Sequence, residues 1–264
     1  MRDGGYVVGG YFERTMQAGE YTFTSKGGSD GMVIKYSSEG EVEWATSVGG
    51  SDFDSITSVA ETSDGGVIVG GSLNSSTIQV GKDIIEGAHL IKYDKDGKVE
   101  WISEEKVTAI SIIATDDEGF FVIQDQIGAI GIRKYNKKGK REWSKSLLTV
   151  KCLQDIPHAF AEATSDGGVV VGGHFNSSSI QVGEYTLTSK GSNDGVVIKY
   201  SREGEVEWAK SVGGSSYDYI SSVSELQDGS VIAGGHFNSS TIEIDGKTLT
   251  NKGEIDGMLL KIVN

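Results

Sequence analysis

Two of the four histidines stand at matching places in the sequence and are the first candidates for chemistry. His174 and His236 each follow a Gly-Gly pair and precede Phe-Asn-Ser-Ser, where Tyr11 and Ser72 stand in two other copies of the pattern. A metal site needs three or four ligands, and the other copies do not supply them. We therefore predict no metal ion and no other cofactor. We keep His174, His236 and Tyr11 as candidate ligand-binding residues, with a polar role at strand ends as the alternative.

The carboxylates are also repeated in equivalent places. Asp54 and Asp218 each lie two residues before an isoleucine, and Asp30, Asp194 and Asp256 each precede a glycine. Short acidic side chains at such places accept hydrogen bonds from backbone N–H groups in turns. A glycosidase instead needs two carboxyl groups with separate roles, and no asymmetric pair stands out. We therefore predict no catalytic residue and expect that the chain is not an enzyme.

A basic cluster in an otherwise acidic chain supplies the third set of candidates. It begins at Arg133 and includes Lys137 and Lys138, and these three residues are the candidate contacts for a partner. A solvated turn in a degenerate repeat is the alternative interpretation. Cys152 and His158 follow in the sequence, but no third group that could orient such a nucleophile and base is apparent.

The charge balance limits the partners. The 264-residue chain has a formal net charge of -14, which disfavours nucleic acid and anionic membranes because both attract proteins through positive charge. On charge alone, cationic partners, metal ions and neutral sugars stay open. No apolar run approaches the roughly 20 residues of a membrane helix, so no membrane insertion is predicted. The single cysteine excludes an intramolecular disulfide.

These candidates must be positioned by a repeated element. Asp-Gly-Gly or a variant, followed by β-branched or aromatic residues, recurs at intervals of about 50 to 60 residues without any helical pattern, which is typical of propeller blades. We predict an all-β, β-propeller-like array of five repeats in a single domain, residues 1–264. The repeats begin their pattern at Asp3, Asp64, Asp117, Asp166 and Asp228, and they span approximately residues 1–52, 53–104, 105–152, 153–214 and 215–264.

Each complete repeat reads as four strands, A to D. An Asp-Gly turn joins strands A and B, strand C is typified by Met32 to Tyr36, and strand D carries a tryptophan preceded by glutamate. Such a repeated aromatic side chain is expected to pack between neighbouring repeats, because one repeat cannot bury its faces alone. Stacking on a ligand is the alternative. The four tryptophans of the protein all occupy this place: Trp44, Trp101, Trp143 and Trp208.

With these residues in view, the chain resembles the bacterial family called the seven-bladed β-propeller repeat, which occurs in large exported or surface proteins. The matching run extends from Asp30 to Gly71 and recurs nearly intact from Asp194 to Gly235. The resemblance covers the whole chain and departs from the pattern in repeat 3, where Ser144 follows Trp143 and the Gly-Gly pair is lost. It implies the fold but no catalytic residues, since one scaffold hosts many functions.

Strand counting reveals an irregularity at the two ends. Repeat 1 begins at strand B and repeat 5 ends at strand C, so the repeats hold three, four, four, four and three strands. Two sets of three do not complete one blade of four. We expect an open or imperfectly closed array whose exposed edges pair with another copy or belong to a longer chain. Between strands B and C, repeats 1, 4 and 5 carry an insertion that predicts an extra hairpin; repeat 2 shortens it, and repeat 3 almost lacks it.

The repeated scaffold favours a non-catalytic binding or display role for a glycan or protein ligand. A carbohydrate-active enzyme, either a lyase or a glycosidase with a pocket on the propeller axis, is one alternative, and a structural spacer is another. No signal peptide is visible, because Met1 leads directly into a repeat. We expect a part of a longer bacterial protein that is exported to the cell surface or the medium.

Overall fold

The computed structural model describes residues 1, 3–87, 89–126, 129–148, 160–244 and 246–263. These residues form β-strands and turns without a helix, so no described segment is a helix suited to crossing a membrane. The all-β, propeller-like prediction is confirmed. The strands of repeats 1 and 2 are β1 Tyr6–Phe12, β2 Thr15–Ala18, β3 Tyr21–Thr24, β4 Asp30–Tyr36, β5 Val42–Gly49, β6 Asp54–Glu61, β7 Val67–Leu73, β8 Thr77–Val80, β9 Asp83–Glu86, β10 Ile91–Tyr93 and β11 Val99–Ile102.

The later repeats use the same short strands bounded by glycine turns. Repeat 3 contains β12 Ala109–Ala114, β13 Phe120–Gln126, β14 Ala129–Tyr135 and β15 Arg141–Leu148. Repeat 4 contains β16 Phe160–Ala163, β17 Val169–Phe175, β18 Ser179–Val182, β19 Tyr185–Thr188, β20 Asp194–Tyr200 and β21 Val206–Val212. Repeat 5 contains β22 Asp218–Glu225, β23 Val231–Phe237, β24 Thr241–Ile244, β25 Lys247–Thr250 and β26 Asp256–Ile262.

The main strands of each repeat form one sheet in the predicted A-B-C-D order. Among the described residues the sheets hold three, four, four, four and three such strands, which confirms the predicted tally. The five sets are β1-β4-β5, β6-β7-β10-β11, β12-β13-β14-β15, β16-β17-β20-β21 and β22-β23-β26.

Extra hairpins form between strands B and C in four repeats. The pairs β2–β3, β18–β19 and β24–β25 are the predicted ones. Repeat 2 differs from expectation, because its shortened insertion still forms the full hairpin β8–β9. Strand β8 also pairs with β5 of the preceding repeat, with Val48 opposite Val80. The hairpin therefore covers part of an edge that would otherwise present unpaired backbone groups.

The described contacts group the chain into two compact units, and each feature below lies within one of them. The division leaves the predicted single domain untested. The first unit comprises Met1–Ala114, Glu118–Gln124 and Tyr135–Glu142, and the second comprises Thr115–Asp117, Asp125–Lys134 and Trp143–Asn264.

Three of the strand-D tryptophans, Trp44, Trp101 and Trp143, pack on a glycine turn of the following repeat, as predicted. The Trp44 indole Nε1 donates to the Lys95 carbonyl at 3.0 Å, and its ring covers Gly97, where an added Cβ would lie 2.7 Å from a ring atom. Gly97 also has φ +78°, which glycine adopts at little cost. Trp143 repeats the arrangement in the second unit over Gly204.

A buried lysine in strand C ties the A–B turn to strand D. Lys92 is only 3% exposed, and its Nζ contacts Asp64 at 2.7 Å and Glu100 at 2.6 Å. Lys199 binds Asp166 and Glu207 in the second unit in the same way. Two carboxylates per ammonium compensate for its loss of water, so this lysine is a scaffold element.

We expect the free energy of unfolding to decrease as the pH falls from about 4 to about 2. Burial of Asp64 opposes its ionisation, but hydrogen bonds from Lys92, Thr62 and the Gly66 N–H together lower its pKa from 3.8 to about 2. The pKa of Asp166 is lowered to about 2 by equivalent contacts that likewise outweigh burial. The unfolded chain therefore takes up these protons first, and the stabilisation present above pH 4 is lost on acidification.

Urea unfolding between pH 2 and pH 7 measures this effect. The double variant Asp64→Asn, Asp166→Asn should show a shallower loss of stability below pH 4, because the substituted side chains do not titrate. Equal pH dependence in the two proteins would contradict the assignment.

Candidate ligand-binding site

A row of three rings crosses neighbouring strands of the second compact unit. The His174 ring meets the Tyr219 ring edge-on, with 4.6 Å between centroids. The His236 ring stacks on Tyr219 with 4.9 Å between centroids and the two planes 28° apart. The structure thus brings together two of the predicted candidates through a third residue. We call His174, Tyr219 and His236, with Asn193 and Tyr217, the ring cluster.

Strand register explains why these rings meet. Tyr219 on β22 lies directly opposite His236 on β23, and side chains opposite each other in an antiparallel pair are close enough to stack. His174 and His236 each face a glycine across strands B and C, namely Gly195 and Gly257. A glycine partner has no side chain, so the imidazole can turn towards Tyr219.

The outer part of the ring cluster is accessible, and its inner part is supported. Tyr217 is 50% exposed, Tyr219 and His236 are partly exposed, and His174 is buried at 3%. The Asn193 amide Nδ2 donates to the Tyr219 hydroxyl at 3.3 Å, which orients the phenol. The accessible part offers aromatic surface for stacking, together with the His236 imidazole, a phenol and an amide that can form hydrogen bonds.

Asp218 fixes the loop that carries the ring cluster. Its carboxylate is fully buried, and it accepts hydrogen bonds from the backbone N–H groups of Gly214, Asn238 and Ser239 and from the Ser239 hydroxyl. These donors hold the loop before β22, so the backbone directions at Tyr217 and Tyr219 are set. The predicted role of this aspartate as an acceptor in a turn is confirmed.

The first compact unit has the same loop without the row of rings. Asp54 accepts from Gly50 N–H and from the N–H and hydroxyl of Ser75. Ser55 and Ser72 stand where Tyr219 and His236 stand. Tyr11, the counterpart of His174, is 62% exposed. Sequence reasoning missed Tyr219, although the serine in the matching run was the available signal.

The basic candidates occupy strand and turn positions. Arg133 lies on β14 in the second unit, and Lys137 and Lys138 lie in the β14–β15 turn of the first unit. Lys137 Nζ contacts Glu118 at 2.6 Å, and the Lys138 N–H donates to Asn136 within the turn. Their assignment as ligand contacts stays a prediction. Cys152 and His158 lie outside the described residues.

Two other kinds of site, a metal centre and a large cavity, are less well supported than the ring cluster. Within the described ranges, no three His, Cys, Asp or Glu side chains are placed to hold a metal ion. A cavity of about 680 Å³ in the first unit has Asp3, Glu43 and Asp96 among its lining residues. Lys35 binds the first two of these carboxylates, and Lys95 binds the third, so these groups already have cationic partners.

No protein-family model and no curated protein matches this sequence. Among similar solved structures is a protein of unknown function from Bacteroides caccae, at 12% identity and TM-score 0.47, covering 97% of this chain and 73% of that chain. A luciferin-regenerating enzyme has 9% identity and TM-score 0.41, with coverage of 96% and 77%. Drosophila plexin A in complex with semaphorin 1b has 11% identity and TM-score 0.42, with coverage of 88% and 49%.

The similar structures are β-propeller-type proteins, and membership of the bacterial repeat family stays a prediction. The prediction that the chain is not an enzyme is wrong as an inference from this scaffold, because the similar proteins include a luciferin-regenerating enzyme. They include both enzymes and binding proteins. The error was to treat the lack of an asymmetric carboxylate pair as a lack of catalysis, although other side chains can carry chemistry.

Proposed function

We propose that the chain is a carbohydrate-binding module and that the ring cluster binds a neutral sugar. One observation carries the proposal: the row of rings exists in only one of two nearly identical repeat pairs, whereas scaffold residues recur in both. Tyr219 and His236 stand where the other copy has serine. Because the other repeat pair folds without the row of rings, these rings are not required by the common scaffold. Ligand binding therefore explains their presence.

The chemistry of the ring cluster suits a neutral sugar. The apolar C–H face of a pyranose packs on an aromatic ring, and its hydroxyl groups pair with nearby polar groups that fix its orientation. Tyr217 supplies exposed ring surface, while His236 and Asn193 supply hydrogen-bonding groups. The net charge of -14 disfavours an acidic sugar.

The proposal includes a setting and a second kind of partner. A carbohydrate-binding module fits a bacterial protein at the cell surface or in the medium, where glycans are accessible. A protein ligand and association with another copy through terminal strands are the other proposed partners. Protease treatment of intact cells that produce the protein tests the location, since a surface protein is cleaved and an internal one is protected.

We expect the variant Tyr219→Ser, His236→Ser to bind its sugar at least about tenfold more weakly, because the sugar loses the Tyr219 ring and the His236 imidazole as contacts. The substitutions reproduce Ser55 and Ser72 of the other copy and affect partly exposed side chains, so the fold should persist. A screen of neutral and acidic glycans identifies the oligosaccharide, and titration calorimetry measures its affinity.

The control for loss of an exposed aromatic ring elsewhere is Phe53→Ala in the first unit, at the place of Tyr217. Phe53 is 61% exposed and has no neighbouring row of rings, so its removal should leave the affinity unchanged. The proposal would be overturned if the protein retained no glycan in the screen or preferred acidic glycans. It would also be overturned if the variant Tyr219→Ser, His236→Ser bound the sugar as tightly as the unmodified chain.

A further inference from the structure

We propose that two copies of this chain associate head to tail, with the outer face of β26 in one copy covering the outer face of β1 in the next. This inference deepens the self-association named in the proposed function, and it uses neither the ring cluster nor its sugar. Both faces are exposed apolar surfaces that correspond to buried surfaces elsewhere in the same chain.

The first face belongs to repeat 5. Leu259 on β26 is 72% exposed, whereas its counterparts Val33 on β4 and Val197 on β20 are completely buried. Val197 shares a core cluster with Ile220 and Val223 of the following repeat. Leu259 therefore lies on the surface that a following repeat covers elsewhere.

The second face belongs to repeat 1. Tyr6 and Val8 on β1 are 48% and 37% exposed, whereas their counterparts Val67 and Val69 on β7 are completely buried. Val67 and Val69 belong to a core cluster that contains Trp44, Val33 and Val48 of the preceding repeat. Tyr6 and Val8 therefore lie on the surface that a preceding repeat covers elsewhere.

The two faces are opposite halves of one interface. Within the first unit, Val33 of repeat 1 and Val69 of repeat 2 lie in the same core cluster. In a contact between β26 and β1, Leu259 would take the place of Val33 and Val8 the place of Val69. The contact thus continues the interface that already joins successive repeats within each unit. Burial of these side chains supplies the driving force, because removing apolar surface from water is favourable.

Tyr6 removes an apparent mismatch in this interface. Elsewhere a preceding repeat inserts a strand-D tryptophan, and Trp44 lies 5.9 Å from Tyr93, but the described part of repeat 5 has no strand D. In repeat 1, Tyr6 itself stacks on Tyr36, the counterpart of Tyr93, at 4.9 Å. Tyr6 of the same repeat therefore occupies the position that a tryptophan of the preceding repeat occupies elsewhere, so a partner without a tryptophan can cover this face.

Sedimentation equilibrium of the full chain across a range of concentrations tests the proposal. We expect concentration-dependent dimers or larger assemblies, and we expect Leu259→Glu or Val8→Glu alone to raise the dissociation constant at least about tenfold, since each places a charge in the contact. A mixture of these two variants keeps one intact face of each kind, so it should form a dimer of one copy of each. An interface that joins the same face of both copies predicts no such rescue.

The control is Ile84→Glu on β9, because Ile84 is an exposed apolar residue outside both faces, at 74%. It should assemble like the unmodified chain, and circular dichroism should show native strands in all variants. A chain that stays monomeric at every concentration, or a mixture that fails to pair, would overturn the inference. Sugar affinity of the Leu259→Glu monomer is measured in parallel, so loss of assembly and loss of sugar binding are read separately.

Discussion

Replacing Asp218 by alanine is expected to lower the free energy of unfolding by about 3 to 5 kcal/mol, because four donors lose their acceptor in a buried place and each costs about 1 kcal/mol or more. The donors are three backbone N–H groups and the Ser239 hydroxyl. Urea unfolding monitored by tryptophan fluorescence measures the change. Sugar affinity should also fall, since the loop that carries Tyr217 loses its anchor.

Asp54→Ala separates these two consequences. It removes the equivalent acceptor in the first unit, so a comparable loss of stability is expected, while the ring cluster keeps its own anchor and its affinity. The exposed Asp96, which contacts Lys95, should tolerate alanine without a measurable change, as expected for a surface pair. Unchanged stability of Asp218→Ala would refute the anchoring role.

The repeated parts of the fold were predictable because each copy tests the same pattern. The Asp-Gly turns, the strand tally and the tryptophan position all follow from residue types that recur in several repeats. The β8–β9 hairpin shows the limit of this reasoning. Its pairing with β5 joins Val80 to Val48 of another repeat, and such a contact between repeats leaves no signal in the spacing of one insertion.

The ring cluster was only half predictable, for a related reason. His174 and His236 are recognisable candidates because imidazoles recur at matching places, whereas Tyr219 lies in a strand whose pattern recurs as scaffold. Its importance depends on the register that places it opposite His236, which sequence spacing alone did not specify. Comparison of the two nearly identical runs also shows tyrosine at the place of Ser55, beside the histidine at the place of Ser72. Differences between copies, rather than the residues that copies share, indicated the site.

Removing the Trp44 side chain is expected to cost about 3 to 5 kcal/mol of folding stability, the usual range for truncating a large buried aromatic residue. Trp44 is 6% exposed, packs on Tyr93 and Gly97, and donates to the Lys95 carbonyl. Trp44→Ala therefore opens a cavity between repeats 1 and 2. Urea unfolding of the variant and of the unmodified chain gives the difference.

A double-mutant cycle with Gly97→Ala shows whether the loss arises at this contact. The added methyl group costs stability in two ways, since it strains a backbone with φ +78° and would lie 2.7 Å from the Trp44 ring. In the Trp44→Ala background the ring clash is absent, so only the backbone cost should remain, and the two substitutions should be less costly together than the sum of their separate effects. Gly229 has the same φ with open space around it, and Gly229→Ala measures the backbone cost alone. If the losses of stability in Trp44→Ala and Gly97→Ala were strictly additive, Trp44 would not stabilise the junction through its contact with this turn. The packing between successive repeats would then reside in the faces of their strands.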